Sequence, residues 1–364
     1  MEVNKLLCKN MKEKPETRRA SRKLTIDINK LVRMGLNENA FGTSPKAIQA
    51  MKDMTEYGNY YQDWTQSDIK SAISEYYDVP KEFIVTGCGS SALTDALGTA
   101  FLESGDEVLL AMPTFPAIID TAQINGATPV IVPMDEEELR YDMDKLYDAI
   151  TDKTKMVYIC NPNNPTGTYV GIKKLIEFAR KCPDHVIQVY DEAYIEFAEA
   201  EDCIEMVGAM KEFKDKPIVV LKTFSKFFGM AGVRAGFVLA QPEIIEWLSK
   251  CGTQFALSKI SQAGAAAAMR DVEHAKYVKT EVAKWRTYLS EELIKLGCKV
   301  YPSQTNFIFF DPHVDPMEVN NMMADKGIMM SAQAGACRVS VGTPEQNRQY
   351  VEYLSQILDT LRSS

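Results

Sequence analysis

No stretch of the sequence approaches the roughly 18 consecutive apolar residues that a membrane helix needs. The N-terminus carries no apolar run ending in a small-residue cleavage site. A membrane-spanning or secreted protein is therefore not expected, and a cytoplasmic one is. Histidine is scarce: His185, His274 and His313 lie far apart, with no zinc-ligand spacing and no basis for a Ser-His-Asp triad. The eight cysteines are scattered without a CxxC pair, so they read as reduced thiols, and no metal is expected. Positive charge is in deficit, 41 Lys and Arg against 50 Asp and Glu for a net −9. That balance leaves no global field to hold a nucleic-acid backbone or an anionic membrane.

What is present is a chain of 364 residues, 46% hydrophobic and 25% charged, enough to bury a large core. The first 34 residues are basic and polar and read as a solvated arm. From about residue 83, short Val- and Ile-rich runs alternate with helical stretches, the α/β pattern. The runs read as strands are 83–86, 107–111, 128–132, 156–160, 186–190, 218–221 and 235–240. Most are continuously apolar, which places them in a mainly parallel sheet of seven strands covered on both faces. Residues 271–296 have neither Gly nor Pro and predict one amphipathic helix about 39 Å long, suited to connect domains. After it come short strands at 298–301, 306–310, 327–330 and 337–341, with helices at 316–326 and from Pro344. This reads as an arm (1–35), a large α/β domain (36–260) and a small α+β domain (261–364) joined by part of the N-terminal segment.

Ligands of open α/β sheets sit at the carboxyl ends of the strands, so the residues that follow each strand matter most. After 83–86 comes Gly87-Cys88-Gly89-Ser90-Ser91, opening a helix whose free N–H groups suit a phosphate. The same loop spells GxGxxA, the rival dinucleotide signature, but 107–111 is followed by Met112-Pro113 instead of a ribose-binding acid. A Walker loop is excluded because no Gly-Lys-Ser/Thr follows. After 186–190 comes Asp191, a carboxylate behind an apolar run that needs a cationic or hydrogen-bonding partner to ionise. After 218–221 comes Lys222-Thr223-Phe224-Ser225-Lys226, with Arg234 eight residues on. After 156–160 comes Asn161-Pro162-Asn163-Asn164-Pro165-Thr166-Gly167, and Tyr194 follows Asp191 by three residues. Together these residues fit pyridoxal phosphate, which needs a lysine, a carboxylate for its ring nitrogen, donors for its phenolate oxygen, an aromatic face and a phosphate cup.

The sequence resembles the fold-type I aminotransferases of class I/II, and most closely the histidinol-phosphate aminotransferase family. The likeness runs from about Leu36 through LNENAFGTSPKA (36–47), TGCGSSALTDAL (86–97), PTF (113–115), CNPNNPTG (160–167), VYDEAYIEF (189–197), KTFSKFFGMAGVRAGF (222–237), QTNFIFF (304–310) and CRVSVGT (337–343). It implies a pyridoxal 5′-phosphate enzyme that moves an amino group between an L-amino acid, or related amine, and a 2-oxo acid. Lys226 would be the Schiff-base lysine and Asp191 the partner of the ring nitrogen. Asn164 and Tyr194 would serve the phenolate oxygen and Phe115 would stack on the ring. Ser90, Ser91, Ser225 and Arg234 would hold the phosphate, with Thr223 behind them. Arg338 would grip the substrate carboxylate, with Asn164 and Asn39 also at the substrate. The resemblance further implies a homodimer with shared active sites, each completed by a tyrosine of the partner, Tyr60 or Tyr61; alignment with Asp63 selects Tyr61. One departure bears on substrate: Met330-Ser331 stand where the family usually has an arginine for a substrate's anionic end. The same frame also runs decarboxylation, β- or γ-elimination and cyclisation of amino acids, which is the alternative reading.

Overall fold

In the computed structural model, residues 5–13, 31–253 and 255–363 are described, so most of the basic arm lies outside the described residues. The strands in chain order are β1 (Val32–Arg33), β2 (Ile84–Gly87), β3 (Glu107–Met112), β4 (Thr128–Pro133), β5 (Thr154–Cys160), β6 (Ile187–Asp191) and β7 (Ile218–Thr223). They continue with β8 (Gly236–Ala240), β9 (Lys299–Val300), β10 (Phe307–Asp311), β11 (Ile328–Met329), β12 (Ser331–Gln333) and β13 (Ala336–Ser340). The large sheet has the order β2-β8-β7-β6-β5-β3-β4. All its pairs are parallel except those of β8, which runs against both β2 and β7.

Side-chain alternation divides each central strand between two cores. Val157 and Ile159 of β5, Tyr190 of β6 and Ile218 and Val220 of β7 point into one cluster. Their neighbours Met156 and Tyr158, Val189, and Val219 and Leu221 point into the other. Continuous apolar composition is thus what a period of two requires when both faces are covered.

The C-terminal part builds a second layer, a four-stranded sheet β12-β13-β10-β9, while β11 pairs in parallel with β1. The helix Val272–Lys295 spans both layers. Val278 and Val282 near its start pack in the large-sheet core, and Trp285, Leu289 and Leu293 pack in the small-sheet core with Ile308, Phe310 and Val339. The helix Lys259–Met269 packs with Leu257, Ala265 and Met269 in the large-sheet core. The N-terminal chain crosses from β1 through Met34, whose carbonyl accepts from Ser340 N at 2.8 Å. This crossing brings residues 36–38 over the edge where β5, β6 and β7 end.

Candidate active site

The carboxyl ends of β2, β3, β5, β6 and β7 open on a cavity of about 480 Å3 whose other wall is the small sheet. The start of β8 lies on the same edge, because Gly236 pairs with Gly87 on one side and Thr223 on the other. Of the thirteen residues expected at the site, eleven line this cavity: Ser90, Ser91, Phe115, Asn164, Asp191, Tyr194, Thr223, Ser225, Lys226, Arg234 and Arg338.

One end of the cavity is assembled by close backbone approach. The helix Gly89–Phe101 has no side-chain cap at its N-terminus, so its first N–H groups are free for an anion. Arg234 adopts a left-handed backbone (φ 58°) and donates from Nη1 to Ser225 Oγ at 3.3 Å and to the Ala231 carbonyl at 3.0 Å. A Cβ on Gly89 would come within 2.5 Å of Arg234 Nη2, and one on Gly236 within 2.7 Å of Ser90 N. Both glycines therefore keep the cup tight. Thr223 Oγ1 supports it from behind by accepting from Ser225 N at 3.1 Å.

Asp191 is the last residue of β6 and is 4% exposed. Burial raises its pKa, opposed by a short hydrogen bond from Tyr158 OH, by the Ala193 N–H and by the charges of Lys226 and Lys222. A carboxylate held this way is ready to meet a cation in the cavity. Lys226 Nζ donates to the Leu36 carbonyl at 2.8 Å and lies 5.9 Å from the centre of the Tyr194 ring. Loss of solvent, followed by the charge of Arg338, pulls its pKa down to about 8. Tyr194 OH accepts from Asn37 Nδ2 at 3.0 Å. Arg338 donates to Asn164 Oδ1 and to the Gly35 carbonyl, while its buried Nε has no hydrogen-bond partner among the described residues. That leaves a guanidinium donor available to a carboxylate.

Two expected residues lie elsewhere. Asn39 is outside the cavity lining: its Nδ2 donates to the Phe227 carbonyl at 2.8 Å and its Oδ1 accepts from Phe41 N at 3.0 Å. Both ends of the amide are used in holding the loop, and Asn37, two residues earlier, lines the cavity instead. Tyr61 is outside the cavity of its own chain, 85% exposed and edge-on to Phe255. Sequence reasoning also missed Tyr158, which looked like one more apolar strand residue, and Gln333 and Glu38, which reach the cavity only through the tertiary fold. Met330 is packed in the small-sheet core against Tyr350, and Ser331 stands opposite Arg338. Neither supplies a cation.

A family model described as aminotransferase class I and II matches residues 29–354. The chain is 34% identical over 343 residues to a histidinol-phosphate aminotransferase of Bacillus velezensis, covering 92% of this chain and 94% of that protein. It is 31% identical over 326 residues to an aromatic amino acid aminotransferase of Cutibacterium acnes, covering 89% and 92%. Among solved structures, a histidinol-phosphate aminotransferase from Sinorhizobium meliloti in complex with pyridoxal-5′-phosphate superposes with a TM-score of 0.86 at 26% identity, covering 91% of each chain. The chain belongs to the class I and II aminotransferase family.

Proposed function

We propose that this protein is a pyridoxal 5′-phosphate-dependent aminotransferase acting between an L-amino acid, or related amine, and a 2-oxo acid, with Lys226 as the residue that carries the cofactor. The observation that carries this reading is the placement of Lys226 and Asp191 in one cavity, close enough for each to shift the other's pKa. The residues present fit the group. The Gly89 cup with Ser90, Ser91, Ser225 and Arg234 suits its phosphate, Phe115 its ring face, Asn164 and Tyr194 its phenolate oxygen, and Asp191 its ring nitrogen. When bound, pyridoxal phosphate supplies an aldehyde for an amine to condense with and a ring that accepts the electrons left on the α-carbon.

The chain's own residues do the rest. Lys226 Nζ takes the substrate's α-proton, which its depressed pKa allows near neutral pH. Asp191, ionised against a positive ring nitrogen, keeps a proton on that nitrogen. Arg338 holds the substrate carboxylate through its unpartnered Nε, so the Cα–H bond is the one that breaks and transamination is favoured over decarboxylation. Tyr61, exposed with Tyr60 and Trp64, serves the site of a partner subunit in a cytoplasmic homodimer. The names of the relatives point to histidinol phosphate or aromatic amino acids as donors. The buried Met330 and neutral Ser331 favour the aromatic class over a phosphate-bearing one. An amino-donor screen on holoenzyme tests the reaction. Release of a 2-oxo acid with conversion of the cofactor to its amine form is expected; carbon dioxide or ammonia released with the cofactor unchanged would contradict it.

A further inference from the structure

Strand register decides which side chains the small sheet turns toward the cavity. In the β12–β13 pair, Ser331 stands opposite Arg338 and Gln333 opposite Ala336. Side chains at alternate positions of paired strands share a face. Gln333 therefore projects on the same side as Arg338, and both line the cavity. The chain reverses directly after Gln333 through Ala334 (φ 50°) and Gly335 (φ 74°), the paired left-handed conformation of a two-residue hairpin. This turn fixes Gln333 as the last residue of its strand.

Gln333 Nε2 is buried and has no hydrogen-bond partner among the described residues. Buried amide donors are nearly always satisfied in native structures, so an acceptor brought by a ligand removes a standing desolvation cost. The neighbouring charges are already committed. Arg33 holds Glu38 through two bonds of 2.8 and 2.6 Å, Arg234 belongs to the anion cup, and Lys226 and Asp191 flank the reaction centre.

We propose that Gln333 is a specificity-determining residue: its Nε2 donates to a neutral oxygen on the side chain of the amino donor. The enzyme then prefers 2-amino acids bearing such an oxygen over counterparts that end in hydrocarbon or thioether. This inference rests on the transaminase reading of the same site.

Matched donor pairs test it: tyrosine against phenylalanine, and methionine sulfoxide against methionine, followed as half-reactions of the holoenzyme by the absorbance of its cofactor. Wild type is expected to favour the oxygen-bearing member of each pair by about tenfold in kcat/KM, the scale of one neutral hydrogen bond. Gln333→Leu is expected to bring both ratios to about one. Gln333→Glu, which replaces the N–H with a negative oxygen, is expected to invert the sulfoxide ratio, because that oxygen can only accept, while the tyrosine ratio stays above one, because the phenol can donate to the carboxylate. Ratios unchanged by these substitutions overturn the proposal, and an equal loss for every donor does so by placing the amide on the shared α-carboxylate. A wild-type holoenzyme that converts no donor would sink the transaminase reading, and this inference with it.

Discussion

Tyr158 of β5 donates a short hydrogen bond across the strand boundary to Asp191 at the end of β6. The pairing is diagonal, since Tyr158 stands opposite Val189 while Asp191 stands opposite Cys160. The phenol is fully buried and bonds Oδ2 of the carboxylate, while the Ala193 N–H occupies Oδ1. Tyr158→Phe removes a hydrogen bond to an ionisable group, worth about 1.5–3 kcal/mol. A rise of about 10–100-fold in the Kd for pyridoxal phosphate, measured by fluorescence titration of the apoprotein, is the expected result. An unchanged Kd would mean that Asp191 does not face the ring.

The depressed pKa of Lys226 gives the apoprotein a pH signature. Desolvation first, and Arg338 second, favour the neutral amine, so its midpoint lies at about 8 instead of the ordinary 10.5. The amine is the nucleophile, and cofactor loading should accelerate as pH rises through about 8 and then level off. Stopped-flow absorbance across pH checks this. The linkage has a definite sign: between about 8 and 10.5 the unfolded chain holds the proton and the folded one does not. This group therefore adds stability to the apoprotein as pH rises through that window. Loading that continued to accelerate toward pH 10.5 would contradict the assignment.

Lys222, which opens the segment Lys222-Thr223-Phe224-Ser225-Lys226, has a structural role. It is 1% exposed and lies 3.1, 3.3 and 3.1 Å from carboxylate oxygens of Glu192, Glu196 and Glu205. Burial pushes the Glu192 carboxyl up to about 7, with Lys222 opposing the shift. Removing the cation leaves buried carboxylates uncompensated. Lys222→Met is expected to cost about 3–5 kcal/mol, toward the lower end because Glu205 is partly exposed. Urea unfolding of the apoprotein measures it, and a variant as stable as wild type would show that the cluster is already neutral.

Much of this site was legible in the sequence because reactive groups sit directly after apolar strands. Lys226, Asp191, Asn164 and the Gly89 loop needed only the strand pattern and the carboxyl-edge rule to be placed together. Residues supplied by long-range crossings were not. Asn37 and Asn39 are the same type two positions apart, and only the path of the N-terminal segment from β1 over the sheet edge decides between them. Tyr158 sits inside a run that composition marks as core; its polar end acquires a role through the register of β5 against β6. The point at which the long helix passes from one core to the other, between Val282 and Trp285, was also hidden, since the cores differ only in what packs against it.

In the proposed reading, Arg338 grips the substrate carboxylate with a planar fork. Its pKa falls mainly through burial, and one donor, Nε, lacks a partner. Lysine at this position keeps a charge but loses the two-bond geometry. Arg338→Lys should lower kcat/KM for amino donors roughly 10–100-fold while the Kd for pyridoxal phosphate stays near wild type. Steady-state kinetics beside cofactor titration separates the two. An equal loss in cofactor affinity would move the guanidinium from the substrate to the cofactor.

The most direct test of the whole account is borohydride reduction of the holoprotein followed by peptide mapping by mass spectrometry. A stable pyridoxyl adduct on Lys226, absent from Lys226→Ala, is the expected result. An adduct on a different lysine, or a chromophore that survives reduction unattached to the chain, would contradict it.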